Sequence, residues 1–192
     1  MIKDYMIKER DAINELINFD FDYDNILSVL ENCSGKLVFM GVGKSAHIGK
    51  KLAATFASLG IPSFFVHSTE AMHGDLGMIE SKDIAILISN SGNTSEVVQN
   101  IVPLKNNGVT TIAFTSGKES KLAKLCDHLI LFPKLKEADE LNLAPTSSTT
   151  MTLVLGDAIG CELSRRKGFT RENFYKYHPN GALGESLKKE IK

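Results

Sequence analysis

A basic excess is missing from this chain. Its 192 residues carry 22 Lys and Arg against 23 Asp and Glu, for a net charge of −1. A dedicated nucleic-acid binder would show a strong basic surplus or a basic stripe. Lys188-Lys189, near the terminus, reads instead as a solvated helix end. Cysteine is sparse: Cys33, Cys126 and Cys161 are odd in number and form no CxxC pair. Neither a disulfide framework nor a cysteine zinc site is indicated, and a reducing cytoplasm fits best. Long apolar runs are missing too, since nothing approaches the roughly 18 residues of a membrane span. The start, Met1-Ile2-Lys3-Asp4, opens a charged segment without the apolar centre of a signal peptide. The expectation is a soluble cytoplasmic protein that binds neither membrane nor nucleic acid. No linker, repeat or low-complexity tract interrupts the chain.

What is present alternates between two periodicities. Residues 2 to 18 place Ile2, Tyr5, Met6, Ile13, Leu16 and Ile17 at helical spacing, and a second helix carries Ile26, Leu27 and Leu30. These helices have little left of a sheet to cover, so they are expected to pack against another subunit. Short apolar runs then recur at Leu37 to Met40, Phe64 to His67, Ile84 to Ile88, Thr110 to Phe114 and His128 to Phe132. Their β-branched and aromatic content reads as buried parallel strands. Helical stretches at 44 to 59, 94 to 107 and about 147 to 166 lie between and after them, and a polar, aromatic tail follows Lys167-Gly168. The alternation predicts a three-layer α/β/α sandwich on a five-stranded parallel sheet, preceded by two helices.

In such a sheet, ligands bind outside the carboxyl ends of the strands. Two turns fall at those ends: Gly41-Val42-Gly43-Lys44-Ser45, and Ser89-Asn90-Ser91-Gly92-Asn93-Thr94. Each leads into a helix, whose first amides are unpaired and whose dipole favours an anion. The first turn is no Walker A loop, because the position five residues before Gly43 is Val38, inside a strand. It does match the alanine variant of the dinucleotide fingerprint, through Ala46. Against that, the second strand ends at His67-Ser68 with no acid for a ribose hydroxyl, and Glu70 comes too late. A plain packing turn also fits the first motif alone. The second turn is more specific, since with Ser95 four hydroxyls crowd a helix entry where capping uses one or two. Together the turns suggest a phosphorylated small molecule.

These two turns, with His73-Gly74-Asp75-Leu76-Gly77, Ala144-Pro145-Thr146-Ser147-Ser148-Thr149-Thr150 and His178-Pro179-Asn180-Gly181-Ala182-Leu183-Gly184, resemble the sugar isomerase (SIS) family. More narrowly, they resemble its D-arabinose 5-phosphate isomerases, over about residues 35 to 185. Asn180 departs from the glycine often found there. Longer members continue into paired cystathionine-β-synthase-type modules, whereas this sequence stops at Lys192. The layout implied is one domain over 1–192: N-terminal helices in 1–34, an α/β core in 35–166 and a tail in 167–192.

The resemblance implies interconversion of D-ribulose 5-phosphate and D-arabinose 5-phosphate through a cis-enediol, feeding Kdo and lipopolysaccharide synthesis. It needs no redox cofactor, and metal-independent catalysis is expected. Moving a carbonyl between C1 and C2 requires a base and an electrophile, with remote binding energy from the phosphate. Carried over by motif, Lys44, His73, Glu96, Glu137 and His178 are the catalytic candidates. Glu137 is the favoured base and Glu96 the next. Gly43, Ser45, Ser89, Asn90, Ser91 and Thr94 are the phosphate-binding candidates. His178 sits in a tail that must fold back or reach a neighbouring subunit. A homotetramer with shared sites is expected, and nucleotide-activated Kdo is a candidate feedback ligand. His47 and His67 lack metal-ligand spacing, His128 reads as structural, and the hydroxyls of Thr146 to Thr150 read chiefly as helix caps. The alternatives are a sugar-phosphate sensor without chemistry and an isomerase of another sugar phosphate.

Overall fold

In the computed structural model, which describes residues 1–180 and 186, the five apolar runs form one parallel sheet. In chain order the elements are α1 (Ile2–Ile17), α2 (Asp24–Glu31), β1 (Leu37–Gly41), α3 (Gly43–Ser58), β2 (Ser63–His67) and α4 (Ser68–Ala71). A 3-10 turn (Asp75–Met78) leads to β3 (Ile84–Ile88), α5 (Ser95–Val98), α6 (Ile101–Asn106), β4 (Thr110–Thr115) and α7 (Lys121–Leu125). β5 (His128–Leu131), α8 (Ser147–Arg166) and α9 (Arg171–Tyr177) complete it.

The central strands β1, β3 and β4 are buried on both faces because alternate side chains are largely apolar on both. Leu37 and Phe39 of β1 join Ile84, Ile86 and Ile88 in a core beneath α2, α3 and α8. Val38 and Met40 turn the other way, to Ala85, Leu87, Val97, Ile101 and Leu104. Phe39 meets Phe56 of α3 edge-on at 5.1 Å, and burying each such ring contributes roughly 1.5–3 kcal/mol.

Three features differ from the sequence-based expectation. The helix expected over 94 to 107 is broken between Val98 and Ile101. Pro103 has no N–H for the carbonyl of Gln99, and its ring crowds that carbonyl. The second N-terminal helix is not spare: Ile26, Leu27 and Leu30 are buried in the main core. Of α1, Ala12 and Leu16 are buried while Ile2, Tyr5 and Met6 stay exposed. The tail forms α9, started by a reciprocal capping box between Thr170 and Asn173. Gly181 to Gly184 and Lys188-Lys189 lie outside the described residues.

The strand order is β2-β1-β3-β4-β5. Direction of winding reverses between β1 and β3, so their carboxyl ends flank the switch-point crevice where ligands bind in open α/β sheets. Both turns singled out from sequence lie there. Glycine lets α8 approach α3 closely: Gly156 faces Leu52 and Gly160 faces Phe56. Equal steps along both helices mean that they run parallel, and the first turn of α8 is level with the first turn of α3.

Candidate functional site

Strand β1 delivers the first turn. Val42 is extended and has no side-chain acceptor, so α3 begins without a side-chain cap. Among the described residues, no hydrogen bond engages the amides of Gly43, Lys44 and Ser45 or the Lys44 ammonium. Lys44 is exposed and Ser45 half-buried. Unpaired amides at the positive end of a 16-residue helix, beside a free ammonium, form an anion-attracting edge.

Strand β3 delivers the second turn, which is internally braced. The Gly92 amide donates to the Ser89 carbonyl and to its Oγ, both at 3.1 Å. Ser89 Oγ also pairs with Thr94 Oγ1 at 2.9 Å. Ser89 is buried, so its hydroxyl closes the turn, whereas Asn90 and Ser91 are exposed at the rim. Ser91 Oγ accepts from the Asn93 amide at 3.2 Å. The Asn90 carbonyl accepts from Thr115 Oγ1 and Ser116 Oγ, and Asn90 Oδ1 accepts from Ser116 Oγ at 2.8 Å. The end of β4 is therefore the back wall of the turn, a role sequence reasoning missed although Thr115-Ser116 stands at a strand end.

Glu96 lies in the first turn of α5, exposed, with Oε2 accepting from Ser95 Oγ at 2.7 Å. That hydrogen bond, with one from its own backbone amide, holds its carboxyl below the usual carboxylate range. His73 is exposed after α4, its amide donating to the Glu70 carbonyl at 2.8 Å.

Glu137, in the loop after β5, is anchored. Its Oε2 accepts from the Thr146 amide at 2.8 Å, the Ser148 amide at 3.1 Å and Thr146 Oγ1 at 3.2 Å. The expectation that hydroxyls cap α8 is thus corrected: Thr146 makes no side-chain cap, and the Glu137 carboxylate takes the helix N-terminus. Three donors and the helix dipole favour an anion there. Since α8 and α3 start at the same level and packed helices lie ~8–10 Å apart between axes, Glu137 and Lys44 share one end of the sheet. Glu137 also lines a cavity of about 470 Å³ against α1, with Lys8, Asp11, Glu15 and Asn142. No residue of the two turns lines that cavity.

His178 goes elsewhere. Its Nε2 lies 2.9 Å from Ser58 Oγ, and its Nδ1 lies 3.0 Å from the Phe174 carbonyl. Its ring stacks on Phe174 at 4.0 Å. Ser58 ends α3, at the opposite end of that helix from Lys44. His47 is exposed on α3, His67 ends β2 and His128 begins β5. Among the described residues, no three His, Cys, Asp or Glu side chains are placed to hold a metal, and no helix is long and apolar enough to cross a membrane.

Comparison with known proteins adds to this geometry. The chain is 48% identical over 186 residues, 96% of its length, to the arabinose 5-phosphate isomerase KdsD of Shigella flexneri. It is also 48% identical over 180 residues, 93% of its length, to KdsD of Pseudomonas aeruginosa. It spans only 57% and 55% of those two proteins, about half the length of the curated relatives it matches. A solved protein of Escherichia coli CFT073 in complex with arabinose 5-phosphate superimposes with a TM-score of 0.91 at 51% identity, covering 93% of this chain and 95% of that one. The model of the SIS domain matches residues 30–160, well over half of the sequence, and the chain belongs to the SIS domain family.

Proposed function

We propose that this chain is an aldose-ketose isomerase interconverting D-ribulose 5-phosphate and D-arabinose 5-phosphate through a cis-enediol. The observation that carries the reading is the convergence, at one end of the sheet, of two turns at the switch point with Lys44, Glu96 and Glu137. The likeness to the KdsD isomerases and to the arabinose 5-phosphate complex supports the choice of pentose phosphate.

The division of labour follows from the geometry. The phosphate is taken by Ser91, Asn90 and the amides of Gly43 to Ser45, in a turn kept in shape by Ser89 and Thr94. A hydrogen bond to a charged group contributes about 1.5–3 kcal/mol, enough for the phosphate to supply binding energy remote from the reacting carbons. Lys44, free of any protein anion among the described residues, polarises the carbonyl oxygen. Glu137 removes the C1 proton of the ketose and returns a proton to C2. Glu96 is the second carboxylate of the mouth, and His73 assists at its edge. His178 points away from the mouth of its own chain, which supports a role in the site of a neighbouring subunit, opening the cyclic sugar. We infer accordingly a homotetramer with shared sites, acting in the cytoplasm upstream of Kdo, with nucleotide-activated Kdo as a competing feedback ligand.

The direct experiment is conversion of ribulose 5-phosphate to arabinose 5-phosphate by the purified chain, beside hexulose and heptulose phosphates. Turnover of the pentulose alone supports the reading. Binding without turnover would make the chain a sugar-phosphate sensor, and preference for another sugar would reassign the substrate.

A further inference from the structure

Among the described residues, only one oxygen of the Glu137 carboxylate is spent on the protein. Oε2 holds all three hydrogen bonds, from the amides of Thr146 and Ser148 and from Thr146 Oγ1. Oε1 takes none among the described residues. The backbone on either side of the carboxylate is tied to the same corner. The Glu137 amide donates to Asn142 Oδ1 at 2.7 Å, and the Ala138 amide donates to Thr146 Oγ1 at 2.8 Å. The Thr146 hydroxyl therefore accepts from the residue after Glu137 while donating to the carboxylate itself. It closes a short ring that fixes both the side chain and its backbone. The ring is mounted on the start of a 20-residue helix whose own level is set by α3, the helix bearing Lys44.

We propose that Thr146 is a positioning residue for Glu137: its hydroxyl locks Oε2 so that Oε1 alone is presented as the proton-transfer atom. This rests on the isomerase reading above. A base held by one oxygen keeps the other at a fixed angle to the substrate carbon, and small misplacement of a reacting group is costly to rate. A freely rotating carboxylate would offer either oxygen and sample unproductive angles.

Thr146→Val keeps the shape and removes the hydroxyl, whereas Thr146→Ser keeps the hydroxyl. In the isomerase assay, Thr146→Val is expected to lower kcat about ten- to a hundredfold with KM little changed, and Thr146→Ser to restore most of the rate. The charged groups around the cavity that Glu137 lines are Lys8, Asp11 and Glu15 of α1 and Lys136, Asp139 and Glu140 of its own loop, and all are unchanged in these variants. An unaltered kcat in folded Thr146→Val, or a rate that Thr146→Ser fails to restore, overturns the inference. Should that variant not fold, Thr146→Cys, whose thiol is a weak donor, takes its place under the same criteria. If the wild-type chain does not isomerise the pentulose, the proposed function fails by itself. The inference is then decided by side-chain 13C relaxation of Glu137, whose carboxylate must become more mobile in Thr146→Val, and equal mobility overturns it.

Discussion

Ser58 Oγ and His178 Nε2 lie 2.9 Å apart at the end of α3 farthest from Lys44. The Phe174 carbonyl can only accept, so Nδ1 carries a proton, and in the neutral ring Nε2 accepts from the serine hydroxyl. With ~1.5 Å of rise per residue, the length of α3 separates His178 from its own mouth. If it is catalytic, it acts on another copy. Lys44→Ala and His178→Ala should each be inactive alone, and co-refolded mixtures should regain about a quarter of wild-type activity if one site draws on two chains. Absence of complementation in mixed oligomers would mean that the histidine does not serve a neighbour.

The second turn depends on one glycine more than the first does. Gly92 has φ +66°, and a Cβ there would overlap the Ser120 side chain. Gly43 has φ +57° but open space within 4 Å of where its Cβ would be. Gly92→Ala should cost about 2–4 kcal/mol, backbone strain and overpacking together, and Gly43→Ala about 1–2 kcal/mol. Urea unfolding of the two variants should show that order, and equal losses would contradict it.

Ser89 and Ser91 should separate structure from binding. Ser89→Ala removes a buried hydroxyl that closes the turn and should lower stability by about 1–3 kcal/mol. Ser91→Ala leaves stability nearly unchanged but weakens arabinose 5-phosphate about ten- to a hundredfold, the loss of one hydrogen bond to a charged group. Calorimetric titration beside thermal melts checks both. Unchanged affinity in Ser91→Ala removes this serine from the phosphate grip.

Asp127 sets a pH dependence of stability. Burial raises its pKa, but hydrogen bonds from Lys105 and from Thr111 outweigh burial and hold it below the ordinary 3.8. A folded pKa below the unfolded one stabilises fully above the unfolded value, and this is lost as pH falls through the folded value. Stability of the wild type should therefore fall more steeply than that of Asp127→Asn as pH drops below about 4. Parallel curves in denaturant titrations between about pH 5 and 3 would rule out this contribution.

The sheet was legible in the sequence because both faces of each central strand are largely apolar, which makes short continuous runs such as Ile84 to Ile88. The two turns were legible for a related reason, since glycine and serine at strand ends have few structural duties to share among so many. What escaped was set by the chain's path. Glu137 reaches the first turn of α8 across the loop that follows it, and nothing in spacing tells a loop acid to take the cap that the adjacent hydroxyls would be expected to make. The partnership of Ser58 with His178 spans most of the chain and follows from how α9 folds back. The break before α6 was readable, for Pro103 stands inside the helical run, but the apolar period there outweighed it.

The central proposal is proton transfer between C1 and C2 by Glu137, at the end of the sheet where Lys44 also lies. Incubation of the chain with ribulose 5-phosphate in deuterated water containing a chelator tests it most directly, read by NMR of the arabinose 5-phosphate formed. Deuterium at C2, lost together with turnover in Glu137→Gln by about a hundred- to ten-thousandfold, is the predicted result. Isomerisation without solvent deuterium at C2 and indifferent to Glu137, or no isomerisation at all, would contradict the account.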